Sequence, residues 1–103
     1  MEVQPHIVNR VKAGMALLDA WRPGWQHQID IPKLDISQPR DCILGQLAGG
    51  FSLGAAQLML DQPEGFDGEP NWAIAYGFDG PTRSYSSLTK EWKRQISHAL
   101  DHS

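Results

Sequence analysis

Apolar residues recur at helical spacing near both ends of the chain. Toward the C-terminus, every fourth position is apolar, in the order Leu88, Trp92, Ile96 and Leu100. Because an α-helix turns once in about 3.6 residues, this stripe predicts an amphipathic helix from Ser84 or Ser86 to about Leu100. A looser stripe predicts an N-terminal helix from about Pro5 to Trp21. Its apolar members are Ile7, Val8, Val11, Met15 and Leu18.

Two shorter helices are predicted on either side of the glycine pair Gly49-Gly50. The first spans about Gln38 to Ala48, with Asp41 complementing the positive end of the helix dipole. The second spans about Ser52 to Leu60, with the Ser52 side chain as its N-cap. The residues expected to face inward are Ile43, Leu44 and Leu47 in the first helix and Leu53, Ala56 and Leu60 in the second.

The segment after Leu60 predicts a surface loop followed by one more short helix. Residues 61–70, DQPEGFDGEP, are dense in turn formers and acids, as is typical of exposed loops. Residues 71–78 then predict two helical turns closed by a glycine C-cap at Gly77. Phe78 is expected to fold back onto the apolar side.

An extended strap is predicted between the first two helices. Pro23-Gly24 suits the centre of a type II turn, because proline presets the first dihedral angle and glycine accepts a positive φ at the second. Beyond it, Pro32-Lys33 is a poor hairpin centre, so we expect irregular chain rather than strands. The apolar residues that the strap is expected to insert are Ile29, Ile31, Leu34 and Ile36. The whole pattern predicts one all-α domain over residues 1–103, with five short helices.

Residues 42–60, CILGQLAGGFSLGAAQLML, contain no charged side chain and approach the length of a membrane span. Three polar residues and the central Gly49-Gly50 break the pattern, and aspartates rather than basic residues flank it. We therefore expect two short helices meeting at a glycine hinge, and no insertion into a membrane.

Composition and charge narrow the function classes. The chain has 103 residues, of which 41% are hydrophobic and 20% charged, as is typical of a folded domain. A net charge of −3 offers no general attraction for nucleic acid or anionic lipid. A single cysteine cannot form an internal disulfide, and residues 1–6 do not resemble a signal peptide. These features predict a cytoplasmic protein.

Candidate chemistry is sparse. Cys42 lies near a predicted helix start, where the dipole can lower a thiol pKa, so a cysteine-dependent enzyme is one alternative. His98 and His102 have metal-ligand spacing but no third ligand, and the acidic residues after Leu60 do not match a calcium loop. The sequence carries no phosphate-binding, zinc-protease or nucleophile-elbow motif. We therefore expect no catalytic residues, cofactor or metal.

A small DNA-binding regulator is a second alternative. Lys90, Lys93 and Arg94 lie on the predicted last helix, and Arg83 precedes them. Four cations on an acidic domain make a weak electrostatic footprint, and a solvated helix face accounts for them as well. The charge balance does not favour nucleic acid as the partner.

Four tryptophans are the most distinctive feature of the composition. Trp92 belongs to the core stripe, and Trp25 is expected to pin the strap. Trp21 and Trp72 lie at element ends, where large aromatic residues either fix a connection or anchor a partner. We take Trp21, Arg22, Trp72 and Tyr76 as candidate contact residues for a protein partner, a second copy of the chain included.

The order of short motifs carries a resemblance to a family of small uncharacterised proteins from actinobacteria and their bacteriophages. The motifs are A-L-L-D, R-P-G-W, L-D-I-S, D-C-I-L-G-Q-L, Y-G-F-D and Y-x-x-L-T-x-x-W-x-x-x-I, spanning Met15 to Ile96. The family pattern would place an aromatic residue soon after G-Q-L, where this chain has Ala48-Gly49-Gly50-Phe51. The resemblance implies a phage-encoded accessory protein. The function expected from the residues and the resemblance together is non-enzymatic binding and modulation of a host protein.

Overall fold

Five α-helices account for most of the chain. The computed structural model describes residues 5–101, and this part of the chain contains no β-strand. The helices are α1 (Pro5–Trp21), α2 (Ile43–Ala48), α3 (Phe51–Asp61), α4 (Trp72–Ala75) and α5 (Tyr85–Asp101). The all-α prediction is confirmed, and the bounds predicted for the first and last helices agree with α1 and α5 to within a residue.

The core forms where α1 packs against α5. The first three residues of the predicted α5 stripe, Leu88, Trp92 and Ile96, are almost fully buried, and Val11 and Leu18 of α1 are buried with them. The stripe therefore predicted correctly which side of α5 is buried. Residues spaced by about one helical turn lie on the same side of α5, and this side meets α1 and the connecting segments.

The predicted turn at Pro23-Gly24 is confirmed. Gly24 has φ 85° and ψ 8°, and the Trp25 amide donates to the Arg22 carbonyl over 3.0 Å, as in a type II turn. The strap that follows contains two short 3₁₀ turns, Trp25–Gln28 and Ile31–Lys33, instead of being extended throughout. Its apolar residues Ile29, Leu34 and Ile36 are buried, whereas Ile31 is half-buried.

Helix α2 begins at Ile43, so the predicted start at Gln38 is wrong. The chain makes successive tight turns before α2, and Asp41 does not occupy a helical first turn. The Pro39 carbonyl instead accepts a hydrogen bond from the Phe51 amide over 2.9 Å, which ties this loop to the start of α3. Cys42 is the N-cap of α2, because its Sγ accepts from the Gly45 amide over 3.3 Å.

Helix α3 turns the opposite face to the core from the one predicted. Gly54 and Leu58 are buried, whereas Leu53, Ala56 and Leu60, which were expected to face inward, are exposed. A Cβ on Gly54 would lie 2.8 Å from Leu44 Cβ, so α3 approaches α2 closely through its glycine. The cap also differs, since Gly50 precedes the helix and the Ser52 side chain caps nothing.

Helix α4 has a single turn, shorter than the two turns predicted. The glycine closure is confirmed, because Gly77 has φ 75° and the Phe78 amide donates back to the Ala73 carbonyl over 2.8 Å. Phe78 is buried as expected and stacks on Trp92, with ring centroids 5.7 Å apart. Trp92 Nε1 donates to the Gly77 carbonyl over 2.7 Å, so α5 holds this turn directly.

The uncharged stretch 42–60 folds as two short helices joined at Gly49-Gly50, as predicted. Within residues 5–101, none of the helices has both the length and the hydrophobicity needed to cross a bilayer.

Candidate interaction surface on helix α3

The outer face of α3, defined here as Leu53, Ala56 and Leu60, is apolar and exposed. Leu53 is 58% exposed and Leu60 is 83% exposed, and neighbouring Met59 is 44% exposed. Within the described part of the chain, these are the exposed large apolar side chains. Spacings of three and four residues place Leu53, Ala56 and Leu60 on one side of the helix. A contiguous apolar helix face left in solvent is typical of an interaction site.

Trp21 and Arg22 lie along one flank of this outer face. Trp21 Nε1 donates to Asp61 Oδ2 over 2.8 Å, and the Arg22 guanidinium donates to the Gln57 side chain. Arg22 also donates to the Leu47 carbonyl over 3.1 Å, and its Cζ lies 4.2 Å from the centre of the Trp21 ring. Both side chains are half-buried. They fix the end of α1 to α2 and α3 while keeping part of each surface in solvent.

Trp72 and Tyr76 organise the loop on the other side. Phe66 meets Trp72 edge-on, with ring centroids 5.3 Å apart, and stacks near Tyr76 at 6.0 Å. Tyr76 Oη donates to the Gly65 carbonyl and accepts from the Asp67 amide, each over 3.0 Å. The predicted surface loop is therefore held by an aromatic cluster of Phe66, Trp72 and Tyr76.

Helix geometry places the four candidate contact residues in two separate pairs about α3. Gln57 and Asp61, which bind Arg22 and Trp21, are four residues apart and project from the same side of the helix. Met59 projects from the other side, where a Cβ on Gly68 would lie 3.5 Å from Met59 Cε and 3.5 Å from Phe66. The Trp21–Arg22 pair thus borders one edge of α3, and the aromatic cluster that contains Trp72 and Tyr76 adjoins the opposite edge.

The remaining tryptophans are structural, as expected. Trp25 is fully buried, donates from Nε1 to Asp19 over 2.9 Å, and meets Trp92 edge-on with ring centroids 5.9 Å apart. This arrangement pins the strap to α5. Neither Trp25 nor Trp92 presents a surface to a partner.

The environment of Cys42 differs from that of an activated nucleophile. Its side chain is buried, and burial raises the pKa of the thiol above its ordinary value of 9.0 despite hydrogen bonds from the α2 backbone. The Sγ also lies 3.5 Å from the Pro39 carbonyl, which accepts from the thiol. Activated cysteines have lowered pKa values and solvent access, so this geometry favours a structural capping role.

The histidine and acidic candidates do not assemble into a metal site in the described residues. No group of three His, Cys, Asp or Glu side chains within residues 5–101 is placed to hold a metal ion. His98 lies on α5, but His102, its predicted companion, is outside the described residues. The acids of the 61–70 loop are exposed.

The cations near α5 are divided between different environments. Arg94 forms a two-pronged hydrogen bond with Glu91, at 3.1 and 2.6 Å, which neutralises it. Lys90 and Lys93 line a groove that also contains Asp35, whereas Arg83 lines a separate groove beside α1. A DNA-binding helix presents a continuous set of cations to the phosphate backbone. These residues form no such set.

No protein-family model matches this sequence, and no curated protein or solved structure shows significant similarity to it.

The outer face of α3 is the feature that sequence reasoning missed. The sequence pattern predicts that its apolar residues face the core, and leaves open whether the uncharged stretch 42–60 meets a partner. The available signal was the uncharged run itself: helices that pack one face on a domain normally carry charges on the other, and α3 has none before Asp61.

Proposed function

We propose that this protein acts without catalysis, by binding another protein through the outer face of α3. The observation that supports this most strongly is the exposure of Leu53 and Leu60 on a helix with no charged residue before its last position. Leucine side chains in water give no stability to the free domain. Full burial of a completely exposed leucine side chain contributes roughly 1.5–3 kcal/mol, and Leu53, already partly covered, gains a smaller share of this than Leu60.

The borders of this face suit a protein interface. Aromatic and arginine side chains are the residues that most often contribute large shares of binding energy. Arg22 and Trp21 are held in place by Gln57 and Asp61, so little conformational freedom remains to be lost when a partner docks. On the far side, Trp72 and Tyr76 are held by ring contacts with Phe66. A partner with an apolar groove wide enough for one helix fits this arrangement.

The biological setting that we propose follows from the motif resemblance. A phage-encoded accessory protein in the cytoplasm of an actinobacterial host would use this surface to bind and modulate a host protein. A second copy of the chain is the competing occupant of the same face.

The test is affinity capture from actinobacterial lysate with tagged wild-type protein and two double-lysine variants. Leu53→Lys/Leu60→Lys places two charges on the outer face, and Ala16→Lys/Ala20→Lys places the same charges at exposed positions of α1. We expect a stoichiometric protein partner with wild type and with the α1 variant, and its loss with the outer-face variant. Circular dichroism checks that all three are folded.

Sedimentation velocity of the purified chain separates the two occupants. A concentration-dependent dimer abolished by Leu53→Lys/Leu60→Lys assigns the face to a second copy. A monomer that captures no protein, or a partner retained by the outer-face variant, contradicts the proposal.

A further inference from the structure

A second surface feature lies away from α3, in a groove between α1 and the start of α5. The groove has a volume of about 580 Å³, within the range of small-molecule sites. Arg10 of α1 and Arg83 of the 3₁₀ turn Thr82–Ser84 both line it, together with Ser84 and Ser87. Among residues 5–101, no carboxylate lines the groove.

The two arginines have no counter-charge among the residues that the structure describes. Within residues 5–101, neither Arg10 nor Arg83 forms an ion pair or side-chain hydrogen bond, in contrast to Arg94, which is held by Glu91. The acid nearest to Arg83 along the chain is Asp79, whose carboxylate accepts from the Tyr85 hydroxyl over 3.1 Å and from the Gly80 amide over 2.8 Å instead. The domain has a net charge of −3, yet the described lining of this groove carries two unpaired guanidinium groups and no acid, so its charge is positive.

Other groups in the groove add to the same preference. It lies against the N-terminal end of the 17-residue helix α5, where the dipole is positive. Ser87 is exposed, and its hydroxyl has no hydrogen-bond partner within residues 5–101, whereas the Ser84 hydroxyl donates to the Pro81 carbonyl over 2.8 Å. Guanidinium groups and hydroxyls together match the several acceptor oxygens of a phosphate.

The lining is not polar throughout. Ile7 and Leu88 also line the groove, and both are almost fully buried, so little of either side chain reaches its floor. Pro81 supplies a further apolar, exposed surface at the edge. The exposed Pro81 ring beside two cations suits a ligand that combines an anionic group with a small apolar body, and not a bare ion.

We propose that this groove binds a small organic phosphate, with a dianionic phosphomonoester group between Arg10 and Arg83 and its apolar part against Pro81. Two positive charges match the two negative charges of a phosphomonoester near neutral pH. This site is separate from the outer face of α3, and the proposal does not depend on the proposed function.

The experiment is a titration of the full chain followed by ¹H–¹⁵N NMR, with phenyl phosphate as the probe. We expect saturable shifts confined to residues around Arg10 and to the start of α5. Arg10→Gln and Arg83→Gln should each weaken binding about tenfold or more, because each removes charge-assisted hydrogen bonds. Arg83→Lys keeps the charge but loses the planar fork, so it should fall between wild type and Arg83→Gln.

Lys90→Gln is the matched control, since it removes one positive charge from α5 outside this groove. It should leave the affinity for phenyl phosphate unchanged. Equal weakening by Lys90→Gln and Arg83→Gln would show a diffuse charge effect and overturn the proposal. So would the absence of saturation at millimolar phenyl phosphate.

Three further ligands test which anionic compound the groove prefers. Inorganic phosphate should bind more weakly than phenyl phosphate, and phenylacetate, a monocarboxylate with an aromatic body, should also bind more weakly. If inorganic phosphate bound as tightly as phenyl phosphate, the proposal that an apolar part of the ligand contributes to binding would be overturned. If phenylacetate bound as tightly as phenyl phosphate, the assignment of a dianionic ligand would be overturned. Tighter binding of a short single-stranded DNA would assign the groove to a nucleic acid backbone instead.

Discussion

Helices α3 and α5 differ in how their apolar residues relate to the rest of the molecule. Helix α5 carries charges at Lys90, Glu91, Lys93 and Arg94, yet its apolar stripe is buried. Helix α3 has no charge before Asp61, yet it leaves two leucines and a methionine in solvent. The contrast shows that the periodicity of apolar residues, more than their number, determines which helix completes a core. The following substitutions test this contrast, in order of decreasing effect on stability.

The largest effect is expected from Trp92→Ala in α5. Trp92 is fully buried, meets Trp25 and Phe78, and donates to the Gly77 carbonyl. Its removal should cost about 3–5 kcal/mol, a large part of the stability of a small domain. Urea unfolding followed by circular dichroism measures the loss. If Trp92→Ala is already unfolded without urea, Trp92→Phe should give a folded protein with a smaller loss. A fully stable Trp92→Ala protein would contradict the assignment of α5 as the central helix.

A smaller but clear loss is expected from Gly54→Ala, on the buried side of α3. The added Cβ would meet Leu44 at 2.8 Å and push α3 away from α2, which should cost about 1–3 kcal/mol. Gly50→Ala is the matched control, because Gly50 has an extended φ of 170° and a Cβ added there would come no closer than 4.0 Å to another side chain, at Leu53 Cδ1. Equal stability of the two variants in urea would contradict the close packing of α2 and α3.

The third prediction concerns the buried charge on α5. Glu91 is 3% exposed. Burial alone would raise its pKa, but hydrogen bonds from Arg94 and Gln95 and the charges of Arg94 and Lys12 outweigh this and lower it below the ordinary value of 4.5. The ionised form therefore stabilises the folded state fully above about pH 4.5, and this stabilisation is lost as the pH falls through the lower folded pKa.

Thermal unfolding between neutral and acidic pH measures this dependence. Glu91→Gln should be less stable than wild type near neutral pH and should lose less stability on acidification. Part of the acid sensitivity should remain, because hydrogen bonds from Ser37 also lower the pKa of Asp35. Parallel pH profiles for wild type and Glu91→Gln would show that Glu91 does not stabilise the fold by its charge.

The smallest effect is expected from Leu60→Ser on the outer face of α3. Leu60 is 83% exposed, so its truncation should change the free energy of unfolding by no more than about 0.5 kcal/mol. Leu58→Ser, two residues away on the buried side, is the control and should be strongly destabilised. A large loss for Leu60→Ser in the isolated, monomeric chain would place this residue in the core and remove the basis of the interaction surface.

The sequence predicted the fold well where apolar and polar residues alternate with a clear period. The stripe of α5 and the Pro23-Gly24 turn followed from local rules that the rest of the molecule does not override. In α3 every position from Phe51 to Leu60 is uncharged, so periodicity did not distinguish its faces. The buried side is marked by Gly54, which no hydrophobic pattern counts as apolar surface.

The start of α2 illustrates a second kind of error. Asp41 has the chemistry of a helix first turn, but tight turns between Asp35 and Cys42 occupy this segment. Their role is tertiary, since they bring the Pro39 carbonyl to the Phe51 amide. The candidate contact residues lie at or next to element ends, as the sequence predicted, and their role in binding stays a prediction. Their division between the two edges of α3 depends on hydrogen bonds to Gln57 and Asp61, far away in sequence.

The attachment of α3 to the domain has a consequence for motion. Only Gly54 and Leu58 of α3 are buried, and the helix packs mainly on the six-residue α2, next to the Gly49-Gly50 pair. Elements with so few buried contacts open locally at a lower free energy than the core. The amide protons of α3 should therefore exchange with solvent sooner than those of α5. The Trp21–Asp61 hydrogen bond opposes this opening, because it ties the last residue of α3 to the end of α1. A partner that covers the outer face would oppose this opening, and its binding would be measured as slower amide exchange along α3.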